Sequence, residues 1–130
     1  KKISTLAIDR IMSIDTIKYE YTINEESDFE SYFDDVIGVT VFDNAEIEKI
    51  VLHIDKKRWP YIRSKPLHHS QTINNNVDLE DYVEISLKVK INNELKALLF
   101  SHMDAIKIIE PLSLREEFKS VAENIVRNNS

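Results

Sequence analysis

Cysteine is absent from all 130 residues, which excludes a disulfide framework and any thiolate metal centre. Glycine occurs once, at Gly38, so the chain cannot build a phosphate-cradling loop or a glycine-flanked nucleophile elbow. No apolar run approaches the roughly 20 residues that a bilayer-crossing helix needs. The opening residues show no basic-then-apolar leader pattern, and with cysteine missing the expected setting is cytoplasmic. What remains is globular: 42% of residues are hydrophobic and 31% charged, enough to build one main core in a chain of this length.

The formal charge of −6 argues against a whole-surface affinity for nucleic acid, but the charge is unevenly placed. Tyr19 to Asp35 holds seven acids and no base, whereas Lys56 to Lys65 holds five bases and no acid. Each run reads as a solvated face, with an anion-facing surface as the alternative for the basic one. The first residues, KKIST, carry no methionine and run directly into a strand-like pattern, as expected of a piece of a longer protein.

Between Ile3 and Ile17 a loose alternation predicts one or two strands broken near Asp9 and Arg10. Ser27 and Glu30 have the spacing of a capping box for a helix carrying Phe29, Tyr32, Phe33 and Val36, stopped before Gly38. From Glu46 the pattern sharpens. Ile50, Leu52 and Ile54 form one face of a strand, with Lys49, Val51 and His53 on the other. A helix beginning near Trp59, with Pro60 in its first turn, ends before Pro66. An Asn-rich weak strand is expected over Gln71 to Val77, and YVEISLKVKI, Tyr82 to Ile91, is an alternating half-buried strand. Asn92 or Asn93 caps a helix with Leu95, Leu98, Leu99 and Met103. Ile106 to Glu110 is a short strand. After Pro111, Ser113 and Glu116 suggest a second capping box, opening a closing helix with Leu114, Phe118, Val121, Ala122 and Ile125 on one stripe. The order strand, helix, strand, strand, helix, strand is an α+β, ferredoxin-like βαββαβ sandwich with an extra C-terminal helix.

The chemical candidates centre on SKPLHHSQT, Ser64 to Thr72. In an extended segment, the rings of His68 and His69 point to opposite sides and cannot share one metal ion, and no helical ligand spacing accompanies them. No metal or cofactor is therefore expected. Ser70 beside either histidine lacks an oxyanion hole, so catalysis is not expected either. The loop reads in two ways. In one, its polar side chains satisfy backbone groups at a sheet edge. In the other, His68, His69, Ser70 and Gln71 join Arg58, Arg63 and Lys65 to contact an anion, with Trp59 and Tyr61 as core residues or as flat faces for a base.

Four short motifs, in order, resemble one known family. LAIDRIMSI, Leu6 to Ile14, is similar to the last strands of the WYL domain, an Sm-like β-barrel; SYFDDVIGV, Ser31 to Val39, resembles the helix that follows it. KPLHHSQT resembles the Pro-Leu/Trp-His-x-Ser-Gln signature of the C-terminal extension of WYL proteins, with His69 where proline is frequent, and IIEPLSLREEF resembles that extension's ending. The resemblance implies the tail of a truncated WYL barrel over residues 1–17, a linker with a short helix over 18–44, and the ferredoxin-like extension over 45–130. It further implies a non-catalytic ligand-sensing and oligomerisation region of a bacterial helix-turn-helix transcription regulator. Single-stranded nucleic acid or a nucleotide would be the ligand, and DNA would be met only through a missing N-terminal domain. Arg10 falls on the arginine of the Asp-Arg-Ile motif and joins the expected ligand set by that resemblance. The alternative role is a pure homodimerisation module, for which Val51 and Ile109 on the outer strand faces would serve.

Overall fold

The computed structural model describes residues 6–23, 25, 28–42 and 44–130. Its sheet is built from β1 (Ile47–Asp55), β2 (Thr72–Ile73), β3 (Tyr82–Lys90) and β4 (Ile106–Glu110), all antiparallel and ordered β2-β3-β1-β4. Three α-helices, α1 (Trp59–Ser64), α2 (Asn93–Phe100) and α3 (Leu112–Asn128), complete a βαββαβα sequence. That strand order and connectivity are those of a ferredoxin-like sandwich, as the periodicity predicts.

Alternation decides which face is covered. Ile50, Leu52 and Ile54 of β1 and Ile85, Leu87 and Val89 of β3 are fully buried beneath the helices, where Ile62, Leu95 and Leu99 meet them. Helix α3 joins the same layer through Leu114 and Phe118, whose ring stacks on Phe100 at 4.1 Å between centroids. The opposite face of the sheet carries polar residues, although Val51 is itself only 7% exposed there and Ile109 is half-buried.

The segment before Ala45 departs from expectation. No strand forms among its described residues: Ile8–Arg10 is a 3-10 turn, and Ile14 and Ile17 are 82% and 73% exposed. A strand requires a ladder partner for its backbone groups, and no described segment pairs with this one. Ile3 lies outside the described residues. The expected helix over Ser27 to Val36 is instead a run of turns, with Ser27 also outside the described residues. Two physical reasons stand behind this. The Asp28 carboxylate accepts from the Glu30 amide at 3.0 Å and the Ser31 hydroxyl at 2.6 Å, a local bond that competes with helix geometry. The Asp34 and Asp35 carbonyls bond instead to His69 and Lys90 of the folded domain.

Smaller corrections follow the same logic. β2 covers two residues rather than seven, because Asn74 turns its side chain to Glu84 and accepts the Asn76 amide, bending the chain off the sheet. Met103 falls in the turn after α2, although it still packs on the core. Helix α3 starts at Leu112, with extended Pro111 as its cap and its carbonyl taking the Arg115 amide; Ser113 therefore lies inside the first turn and makes no side-chain cap.

Candidate functional site

The HHSQ loop is a brace. Ser70 Oγ donates to the Lys88 carbonyl at 3.1 Å and accepts the Lys88 amide at 2.9 Å. One hydroxyl thus completes a backbone ladder pair on the β3 edge, two residues before β2 begins. His68 is 9% exposed; its Nδ1 lies 2.7 Å from Ser70 Oγ and accepts the Ser70 amide, while its carbonyl takes the Gln71 amide. The Gln71 side chain in turn accepts the Leu67 amide at 3.0 Å, closing the turn after Pro66. Burial, and then the neighbouring His69, holds the His68 imidazole below its ordinary pKa, so neutral His68 is the form that fits.

His69 faces outward and donates through Nε2 to the Asp34 carbonyl at 2.6 Å. That bond opens a strap. The Asp35 carbonyl takes the Lys90 amide at 2.7 Å, Val36 is buried, and Asn92 Nδ2 donates to the carbonyls of both Ile37 and Thr40. Asn92 Oδ1 simultaneously accepts the Leu95 amide, so one fully buried side chain caps α2 and holds the strap. Glu94 Oε1 accepts from the Thr40 amide and hydroxyl, and the hydroxyl is the first reason its carboxyl sits below the usual range. Gly38 turns the strap at φ 78°, where a Cβ would lie 2.7 Å from Glu94 Cγ. The SYFDDVIGV and HHSQ motifs therefore touch each other.

The cationic candidates group elsewhere. Arg58 caps α1; its guanidinium lies 5.2 Å from the Tyr61 ring centroid, and NH2 donates to His102 Nδ1 at 3.4 Å. His102 is 7% exposed, and burial, reinforced by Arg58, pushes its pKa down, so the acceptor nitrogen is free of a proton. Tyr61, Lys65, Pro66, Leu67, Leu98 and His102 line a shallow cavity of about 180 Å³. Arg63 and Lys65 are exposed, and among the described residues neither they nor Arg58 pairs with a carboxylate.

The sequence-predicted set is thus divided. Lys65 lines the cavity beside α1, Arg58 reaches two of its wall residues, Tyr61 and His102, and Arg63 lies on that helix. His68, Ser70 and Gln71 are turned to the sheet edge, and His69 to the strap. Arg10 is exposed on the 3-10 turn, where no described hydrogen bond or ion pair joins it to either group. Sequence reasoning missed His102, which has no local motif to mark it, and the strap residues Ile37, Thr40 and Glu94. Asn92 was visible only as a helix cap. Among the described residues no group of three His, Asp or Glu side chains is placed to hold a metal ion, and no helix is long and apolar enough to cross a membrane.

Comparison with known families places this geometry. No curated protein matches the chain. The model of the WCX domain matches residues 46–126, from the start of β1 to the last turns of α3. The chain belongs to the WCX domain family, the C-terminal extension of WYL proteins.

Proposed function

We propose that this chain is the C-terminal ligand-sensing and assembly region of a bacterial, cytoplasmic helix-turn-helix transcription regulator, working without catalysis. Its ligand is a nucleic acid or nucleotide-like anion. Membership of the WCX family supports the regulatory setting. The observation that carries the sensing reading is the Arg58–Tyr61–His102 cluster, where a guanidinium with no carboxylate partner among the described residues lies beside an aromatic ring and a cavity reached by Lys65. Arg63 adds charge on the same short helix. An anion can pair with the cations there while its flat part lies against the Tyr61 ring. In this reading His69 and the strap link the barrel side of the protein to the domain, and Arg10 contributes from the barrel.

Titration of single-stranded oligonucleotides into the intact protein at two salt concentrations tests the reading. Arg58→Ala and Arg63→Ala are expected to weaken binding about tenfold each and to flatten its salt dependence, because fewer counterions are released. Arg10→Ala tests the barrel contribution in the same assay. Parent affinity in all three variants would reject the assignment.

One observation favours assembly as a second reading. Met103, Ile106, Ile108, Phe118 and Ala122 line an apolar groove of about 210 Å³ beside β4, and Ile125 and Val126 are 52% and 67% exposed further along α3. Light scattering that shows a stable dimer, lost in Ile125→Glu, would support homodimerisation through this face.

A further inference from the structure

The uncovered face of the sheet carries groups that the brace, the strap and the α1 cluster leave unused. Lys49 on β1 stands directly opposite Lys88 on β3, and the alternation puts both on this face. Like charges in that position repel, and among the described residues neither ammonium pairs with a carboxylate. One step along the strands, Thr72 Oγ1 and Ser86 Oγ lie 2.8 Å apart. Two hydroxyls joined by one hydrogen bond use one proton, so the second proton is left to donate outward. A further step along, Glu84 is held rigid from both sides, its Oε2 2.8 Å from His53 Nε2 and its Oε1 accepting from Asn74 Nδ2.

Of these groups Lys49, Thr72, Ser86, Glu84 and Asn74 border two adjoining hollows, and Lys88 stands across the strand pair from Lys49. One, of about 280 Å³, is polar and includes Lys49, Thr72, Ser86 and Glu84 in its wall. The other, of about 450 Å³, shares Ile73, Asn74 and Glu84 with it and adds Val77, Leu79 and Tyr82. Along one line the face therefore offers two cations and a hydroxyl donor, then a fixed carboxylate, then a tyrosine ring among apolar side chains.

We propose that this open sheet face binds a nucleotide unit, with its phosphate between Lys49, Lys88 and Ser86 and its base against Tyr82. The phosphate relieves the repulsion between the two lysines and takes the spare hydroxyl proton. Glu84 has lone pairs left after His53 and Asn74 are served, and these accept from a sugar hydroxyl or an exocyclic amine. Tyr82, with Val77 in the wall of the same hollow, supplies stacking area. Free nucleotides and single strands present the same unit. The inference rests on the reading that the chain responds to a phosphate-bearing ligand, and it adds a second contact on the sheet, apart from the one beside α1.

Calorimetric titration of the full chain with adenosine 5′-monophosphate, inorganic phosphate and a six-residue oligodeoxythymidylate tests it. The Lys49→Met, Lys88→Met double variant is expected to lose at least tenfold in nucleotide affinity, and Tyr82→Ala severalfold, while Arg127→Ala, in the last turn of α3, is unchanged. All these positions are exposed, so thermal melts like the parent's will certify the fold. Inorganic phosphate is expected to bind far more weakly than the nucleotide. Tighter binding of the oligonucleotide than of the mononucleotide identifies a strand as the ligand, and equal affinity a free nucleotide. Parent affinity in the double lysine variant, or no binding of either nucleotide probe, overturns the proposal. Parent affinity in the double lysine variant together with loss in Arg63→Ala overturns it while leaving sensing beside α1 intact.

Discussion

Asn92 does the work of several residues. Its carbonyl oxygen caps α2 and its amide holds two strap carbonyls, all from a side chain that is 2% exposed. Losing an N-cap costs about 1 kcal/mol, and stranding buried carbonyls costs a further 1–3 kcal/mol, so Asn92→Ala is expected to lose about 3 kcal/mol in urea unfolding. Asn92→Ser should recover the cap but not the strap, and so about a third of that loss. Gly38→Ala meets both a left-handed backbone and Glu94 Cγ, and is expected to cost about 1–2 kcal/mol by the same measurement. His68 and His102 set a pH dependence. Both pKa values are lowered from an ordinary 6.5 by burial, so the unfolded chain binds protons that the folded chain resists. Their contribution is complete above about pH 6.5 and is lost as pH falls below it. The urea midpoint is expected to drop between pH 7.5 and pH 5.5, and less steeply in His102→Gln.

Among the elements, the most exposed to a single change is the β2 edge, because β2 has two residues and Ser70 supplies the next rung with a side chain. Ser70→Ala removes both bonds to Lys88, and the Lys88 amide is expected to exchange with deuterium at least tenfold faster while the buried β1 amides at Ile50 to Ile54 are unaffected. Whether an element could be foreseen followed how far its reason was local. β1, β3 and β4 announce themselves because a half-buried strand writes its two faces into alternate residues. Helix α1 was bounded by Pro60 and Pro66 alone. The segment from Ser27 to Val36 misled because its spacing is helical, while its carbonyls are claimed by His69 and Lys90, which lie more than thirty residues away in sequence. The candidate site was legible in part. The basic run showed where charge would lie, but nothing local told that Ser70 would act as backbone, or that His102 would come to Arg58.

At the scale of the whole molecule, the core begins with the strap and not with β1. Every buried hydrophobic residue among those described lies between Val36 and Phe118, and the described residues from Leu6 to Phe33 add no buried side chain. A chain that starts at Asp34 is therefore expected to melt within a few degrees of the full chain. One that starts at Ala45, just ahead of the family match, is not its equal. It loses the burial of Val36, worth about 1.5–3 kcal/mol, and leaves Asn92 Nδ2 and Glu94 Oε1 without their strap partners, at about 1 kcal/mol for each bond lost. The sum over Val36 and these four bonds, about 5.5–7 kcal/mol, is comparable to the whole stability of many small domains, so this shorter chain is expected to be largely unfolded or to melt far lower. Equal melting of the two truncated chains would show that the strap rests on the domain without stabilising it. Motion of the segment ahead of the strap could then not reach the domain through His69 and Asn92, and the mechanical half of the sensing proposal would have to run by another path.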